Sequence, residues 1–388
     1  MNHKTTVEPS PHARATWAEL FFDLVLVFAV TQTAQVLGHH TSLATLGEAL
    51  VLLAPLWWGW VGVTVLVNTV EETNAQRLVL FGAGLCIFLM AVAAPAALDE
   101  PRGAAMIFAA AHFVLRIILL VAVIRTHAFE TSINPMSVSM VTSTVILLSA
   151  PLPAQPRIWV WAAAIVVQLG APLMYGRAVR DRKIGVSHLS ERFGLFIIIA
   201  LGESVVDAGA QASAAGLTPE VVLALVLAFA VGAGLWWIYF NFSSKVIEHA
   251  LATLPSPGLI VRDVLSYGHL VLVAALVAVA VGLGHTVADP GHTAHGVAAT
   301  LAPGGAALFV GTFIFTRWRT VGAPSMTRVV STTALIAVAA VATWLPAIVV
   351  VALTTAILVA LNLYEHWLLS KGHAVPEFRI RRRTPRIA

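Results

Sequence analysis

The chain has 388 residues, of which 59% are hydrophobic and 11% charged, and its mean hydropathy is +0.87. A soluble domain carries about 25% charged residues, so this composition cannot cover a water-facing surface and the bilayer must be the solvent. The single cysteine, Cys86, excludes an internal disulfide framework and a thiolate metal site, and the basic pI of 9.6 reflects loop and tail residues rather than a nucleic-acid surface.

In lipid the backbone must satisfy its own hydrogen bonds, which leaves helices or closed barrels. The apolar runs are near 20 residues and do not alternate, so helices are expected. Residues 1–18 are polar, with Pro9 and Pro11, and read as a cytoplasmic lead. Apolar runs follow at 19–39, 47–69, 76–98, 103–125, 135–151, 157–177, 193–214, 219–243, 263–285, 299–318, 326–343 and 345–369. The first carries Glu19, Asp23, Gln32 and Gln35, which suits a retained helix rather than a cleaved leader. Pro101, Pro151, Pro153, Pro255, Pro257 and Pro290 punctuate the runs.

Twelve helices put both termini and every second loop on one side. Twenty of the 23 lysines and arginines then share that side; Arg102 and Arg157 lie on the other, and Arg116 sits inside a run. The split predicts a multi-pass protein of the bacterial inner membrane with cytoplasmic termini. Motifs also recur in order. Glu19-x-Phe21 matches Glu191-x-Phe193, Leu56-Trp57-Trp58 matches Leu235-Trp236-Trp237, Arg77-x-Val79-Leu80 matches Arg262-x-Val264-Leu265, and Arg116 is echoed by Arg317. The expected fold is therefore an all-α polytopic integral membrane protein of about 12 transmembrane helices, arranged as two parallel six-helix repeats. These are residues 19–177 and 191–370, with a basic linker at 178–190 and a basic tail at 371–388.

Glu19-Leu-Phe-Phe-Asp23-Leu-Val-x-Val-Phe, Glu191-Arg-Phe193, Ala200-Leu-Gly-Glu203-Ser204 and the paired tryptophans resemble the bacterial low temperature requirement protein A (LtrA) family, over about residues 19–370. That resemblance implies a polytopic bacterial membrane protein and no particular substrate. The Phe-x-Asp opening is also similar to that of lysosomal and bacterial potassium channels, although Leu195 stands where a second Asp would be.

Glu203 lies roughly 18 Å along a helix past Glu191, near the bilayer midplane, where a carboxylate needs a partner or a task. Asp207 follows one turn later on the same face, and such a pair can bind a cation or share a proton. A structural ion pair is the competing reading. Glu19 and Asp23 sit at a helix start, where carboxylates are favoured; Asp23 lies deeper and is expected either to line a vestibule or to pair with Arg77, Arg116 or Arg262. Arg116, with His112 one turn before it, is expected to be the counter-ion to a carboxylate such as Asp23 or Glu203, with binding of an anionic substrate as the competing reading. His269 is a further relay candidate, more readily explained as a packing residue. Trp57, Trp58, Trp236 and Trp237 fall mid-helix and read as inter-repeat packing or a pocket wall. His39, His40, His285, His292 and His295 form an outer-face group without a zinc spacing.

Together these residues predict a cation- or proton-coupled transporter or channel with its site between the first and seventh helices. The alternative is a non-transporting sensor, lipid-binding or assembly protein. No nucleophile motif, phosphate loop or cofactor signature suggests an enzyme. Expected partners are the bilayer, anionic lipid at the tail arginines Arg379–Arg383, a small cation or proton, and a further copy of the chain.

Overall fold

A computed structural model describes residues 15–68, 73–100, 102–125, 135–176, 186–253 and 256–371. Most of the polar lead, most of the basic linker and the tail arginines lie outside them. The described residues form twelve helices separated by short breaks, and eleven are long and apolar enough to cross a membrane. The first six are α1 (Trp17–His39), α2 (Leu43–Val67), α3 (Asn74–Ala93), α4 (Gly103–Arg125), α5 (Pro135–Ser149) and α6 (Ala154–Met174). Next come α7 (Val186–Ala215), α8 (Pro219–Trp237, running on through π-helical Ile238–Ser243 into Ser244–Thr253) and α9 (Pro257–Ile260, π-helical Val261–Gly268, then His269–Ala288). The last three are α10 (Val297–Val321), α11 (Met326–Val341) and α12 (Ala347–Ser370). Only α5 is too short to span unaided.

Local chemistry sets these boundaries. Thr16 and Glu19 close a capping box at the start of α1, as do Ser42 and Thr45 at α2 and Thr73 and Gln76 at α3. Thr218 caps α8, with Pro219 in its first turn. α10 stops at Gly322, whose φ of 80° is left-handed and favours glycine.

The packing order is the same along both halves of the chain. α1 packs on α2 and α3, α3 on α4, α4 on α5, α5 on α6, and α6 returns to α2. α7 packs on α8 and α9, α9 on α10, α10 on α11, α11 on α12, and α12 returns to α8. α1 meets α7 and α9 where the halves join. Small residues set the close approaches. A Cβ on Gly282 would lie 2.5 Å from the Ala302 backbone nitrogen, and one on Gly305 would lie 2.8 Å from the Ala275 carbonyl oxygen, so α9 and α10 touch backbone to backbone.

Two boundaries differ from expectation in a way that matters. α7 begins at Val186 rather than near 191–193, which carries the helix back past Arg192 to include His188. α8 and α9 each contain a π segment, in which the helical register slips and carbonyls are released to other donors.

Candidate functional site

The site has three layers along α1 and α7. At the end that carries the termini, Arg192 on α7 reaches α1. Its Nη2 donates to Asp23 Oδ1 at 2.5 Å, its Nε to Asp23 Oδ2 at 3.4 Å and its Nη1 to Glu19 Oε1 at 3.3 Å. All three side chains are buried. Trp60 Nε1 on α2 adds a bond to Asp23 Oδ1 at 2.7 Å, and its ring lies 5.7 Å from the guanidinium carbon. Asn68 donates to His188 Nδ1 at 3.0 Å, which places the imidazole proton on Nε2 and directs it to Glu19 Oε2 at 3.1 Å. Glu19 also accepts from the Thr16 amide at 2.8 Å, so its helix-start role and its ion pair coexist.

Above this network an aromatic layer closes the contact between the halves. Trp57 and Trp60 pack against each other at 5.0 Å between ring centroids, and both pack on Phe193 and Phe196 of α7 at 4.9–5.9 Å. The Trp57 indole donates to the Ser266 carbonyl at 2.8 Å, a group in the π segment of α9. Next to it, His269 Nδ1 donates to the Val264 carbonyl at 3.0 Å, and its Nε2 accepts from Tyr239 Oη at 2.8 Å.

Beyond the aromatic layer α1, α7 and α9 part around a cavity of about 350 Å³. Thr31 and Gln35 line it from α1, Glu203, Ser204, Asp207 and Gln211 from α7, and His285 from α9. Glu203 and Asp207 form no hydrogen bond or ion pair with any described residue. Gly284 makes room for the second of them, because a Cβ there would lie 2.8 Å from Asp207 Oδ2. His285 also lines a second cavity of about 220 Å³, floored by alanines and valines and rimmed by Asp289, His292 and His295. Among the described residues no group of three or more His, Cys, Asp or Glu side chains is placed to hold a metal ion.

Glu203 and Asp207 thus share one cavity between the first and seventh helices, whereas other candidates lie elsewhere. Asp23 pairs with Arg192, not with Arg77, Arg116 or Arg262, because the longer α7 brings Arg192 to it. Arg116 is not a carboxylate's counter-ion: the Gln168 amide oxygen accepts from its Nη2 at 2.9 Å and its Nε at 3.1 Å. His112 is buried beside it with neither ring nitrogen bonded. His269 is satisfied on both nitrogens and away from the carboxylates. Glu191 is half-buried at the end carrying the termini, outside the cavity.

The tryptophans do not line the cavity. Trp57 is in the aromatic layer, Trp58 stacks on Tyr267 at 5.2 Å, and Trp236 and Trp237 are 41% and 39% exposed on the outward face of α8. Trp60, His188 and Arg192 carry no sequence motif that marks them for this network. Two further clusters emerge only in the fold. Asp263 lies between Arg262 at 2.6 Å and Arg319, and buried Arg328 bonds to Glu365 and to Ser243 at 2.9 Å. Arg157 is buried too, donating to the Ala150, Leu152 and Asp99 carbonyls.

Eleven helices of spanning length, buried charges paired between them and an apolar outer surface define a polytopic α-helical membrane protein. The family model described as bacterial low temperature requirement A protein (LtrA) matches residues 14–363, and the chain belongs to that family. A protein of Rhizobium meliloti (strain 1021), described as uncharacterized, is 28% identical over 302 residues, covering 74% of this chain and 73% of that one. No solved structure matches.

Proposed function

We propose that the protein is a cation- or proton-coupled transporter of the bacterial inner membrane, with its site in the Glu203–Asp207 cavity. The observation that carries this reading is the pair of carboxylates on one helix face, at membrane depth, in a cavity and with no cationic partner from the described residues. Intramembrane carboxylates that serve only structure are expected to be paired, as Glu19, Asp23 and Glu365 are here. A small cation or a proton supplies the missing positive charge. The cavity is closed on one side by the aromatic layer and the Arg192 network, the asymmetry that an alternating-access protein has in one of its two states. Arg192, Glu19 and Asp23 are then the closed gate rather than the binding site.

The parallel six-helix repeat is part of the same reading. Support comes from the ordered motif matches and from the matching order of main helix neighbours in α1–α6 and α7–α12. An even number of helices per unit gives both copies one orientation, and the bias of basic residues places the termini in the cytoplasm. Neither cofactor nor chemical reaction enters this reading, and anionic lipid is the partner of the basic tail.

Reconstituted into proteoliposomes, the wild type is expected to carry a proton or alkali-cation flux that Glu203→Gln and Asp207→Asn lower by at least tenfold while melting within a few degrees of wild type. Absence of flux for every cation tried, with both variants melting much lower, would make the carboxylates structural and favour a non-transporting sensor, lipid-binding or assembly role.

A further inference from the structure

Arg116 differs from the other buried arginines in what it faces. Arg192 and Arg328 meet carboxylates, while Arg157 and Arg317 donate to backbone carbonyls, Arg317 to Ala323 at 3.1 Å and Pro324 at 2.5 Å. Arg116, 1% exposed on a membrane-spanning helix, has only the neutral Gln168 amide oxygen, which takes two of its five N–H groups. No other acceptor among the described residues reaches it. One turn away His112 is fully buried, and neither of its nitrogens has a partner. Whichever tautomer it adopts, one more N–H is unmet.

The result is a surplus of donors and an uncompensated positive charge in one buried place, the arrangement that burial in a bilayer disfavours most. On α2, Gly62 brings bare backbone up to the guanidinium: a Cβ there would lie 3.9 Å from Arg116 Nη1 and only 3.1 Å from Leu119 Cδ1. α4 and α6 do not line the Glu203–Asp207 cavity, so this spot is separate from it.

We propose that Arg116, beside the bare backbone of Gly62, and His112 form a binding site for a small monovalent inorganic anion of the halide class. The anion balances the guanidinium and accepts the N–H groups that protein atoms leave unmet. A monatomic ion needs less room than an organic carboxylate, and Leu119 already stands 3.1 Å from the Cβ that Gly62 lacks.

The test is a thermal melt of the detergent-purified, full-length protein at constant ionic strength and pH, with gluconate replaced stepwise by chloride or bromide. Wild type is expected to show a saturable rise in melting temperature with either halide. Arg116→Gln is expected to lose the rise, and Gly62→Ala to raise the half-saturating halide concentration at least tenfold. Equal melting in gluconate and halide, which would mean that water fills the spot, overturns the proposal, and so does an undiminished halide response in Arg116→Gln. Should Arg116→Gln fail to fold, Gly62→Ala decides: an unchanged half-saturation there overturns the proposal as well.

Discussion

Arg192 lies in a place where lipid offers no screening, and two carboxylates and an indole surround it. Removing one member of a buried pair costs about 3–5 kcal/mol, since the remaining charge is left uncompensated. Arg192→Gln leaves two such carboxylates, so its melting temperature should fall further than that of Asp23→Asn, which leaves Glu19 in place. The triple variant Glu19→Gln/Asp23→Asn/Arg192→Gln should recover part of the loss. Thermal melts of these variants compare the penalties directly, and a triple variant less stable than Arg192→Gln would contradict the charge argument. This network was only half legible in the sequence. The carboxylates stood out as acidic residues in an apolar run. Arg192 did not, because it sits beside Glu191 at the end of a basic linker and the positive-inside count already explained it. What identifies it is the two extra turns of α7, and Val186–Ser190 are too polar to extend an apolar run. Trp60 was hidden for a similar reason: the Trp57-Trp58 doublet drew attention to the repeat, while the indole that bonds Asp23 lies two residues on.

Along α9 two glycines two positions apart face different neighbours, and this separates stability from binding. Gly282 lies against the Ala302 backbone, with its would-be Cβ also 2.9 Å from the Ala302 Cβ. Backbone cannot give way locally, so Gly282→Ala should push α9 from α10 and cost about 1–3 kcal/mol by overpacking. Gly284 faces the Asp207 carboxylate, the free end of a side chain, which can rotate. Gly284→Ala should therefore melt close to wild type while displacing a ligand of the proposed cation site, and its cation half-saturation in a flux assay should rise severalfold. Equal melting losses in the two variants would show that the Asp207 carboxylate is held rigidly. Helix positions were readable from the sequence because each run of about 20 apolar residues has one physical solution in lipid. The π segments were not, since Ile238–Ser243 and Val261–Gly268 carry no composition that sets them apart. Their register slip follows from tertiary demand: the Trp57 indole needs the Ser266 carbonyl, and His269 needs both Val264 and Tyr239.

For the whole molecule, the closed Arg192 end and the open Glu203 end make a directional statement that cysteine labelling can check. The chain offers a clean background, because its one cysteine, Cys86, is buried. Gln35 lines the cavity from α1, and Gln76 lies in the first turn of α3 at the end carrying the termini. In intact cells a membrane-impermeant maleimide should label Gln35→Cys and leave Gln76→Cys unlabelled, with the order reversed in inside-out vesicles. Label on Gln76→Cys in intact cells would invert the topology expected from the basic residues. The same Gln35→Cys protein tests the gate. If the halves rock about the α1–α7–α9 contact, releasing Arg192 with Glu19→Gln/Asp23→Asn should favour the state closed at the Glu203 end, so Gln35→Cys should label more slowly from outside and faster from the cytoplasmic face. An unchanged labelling rate on both faces would mean that the ion pairs hold the fold together without controlling access, and would leave Arg192 a structural clamp between two rigid halves.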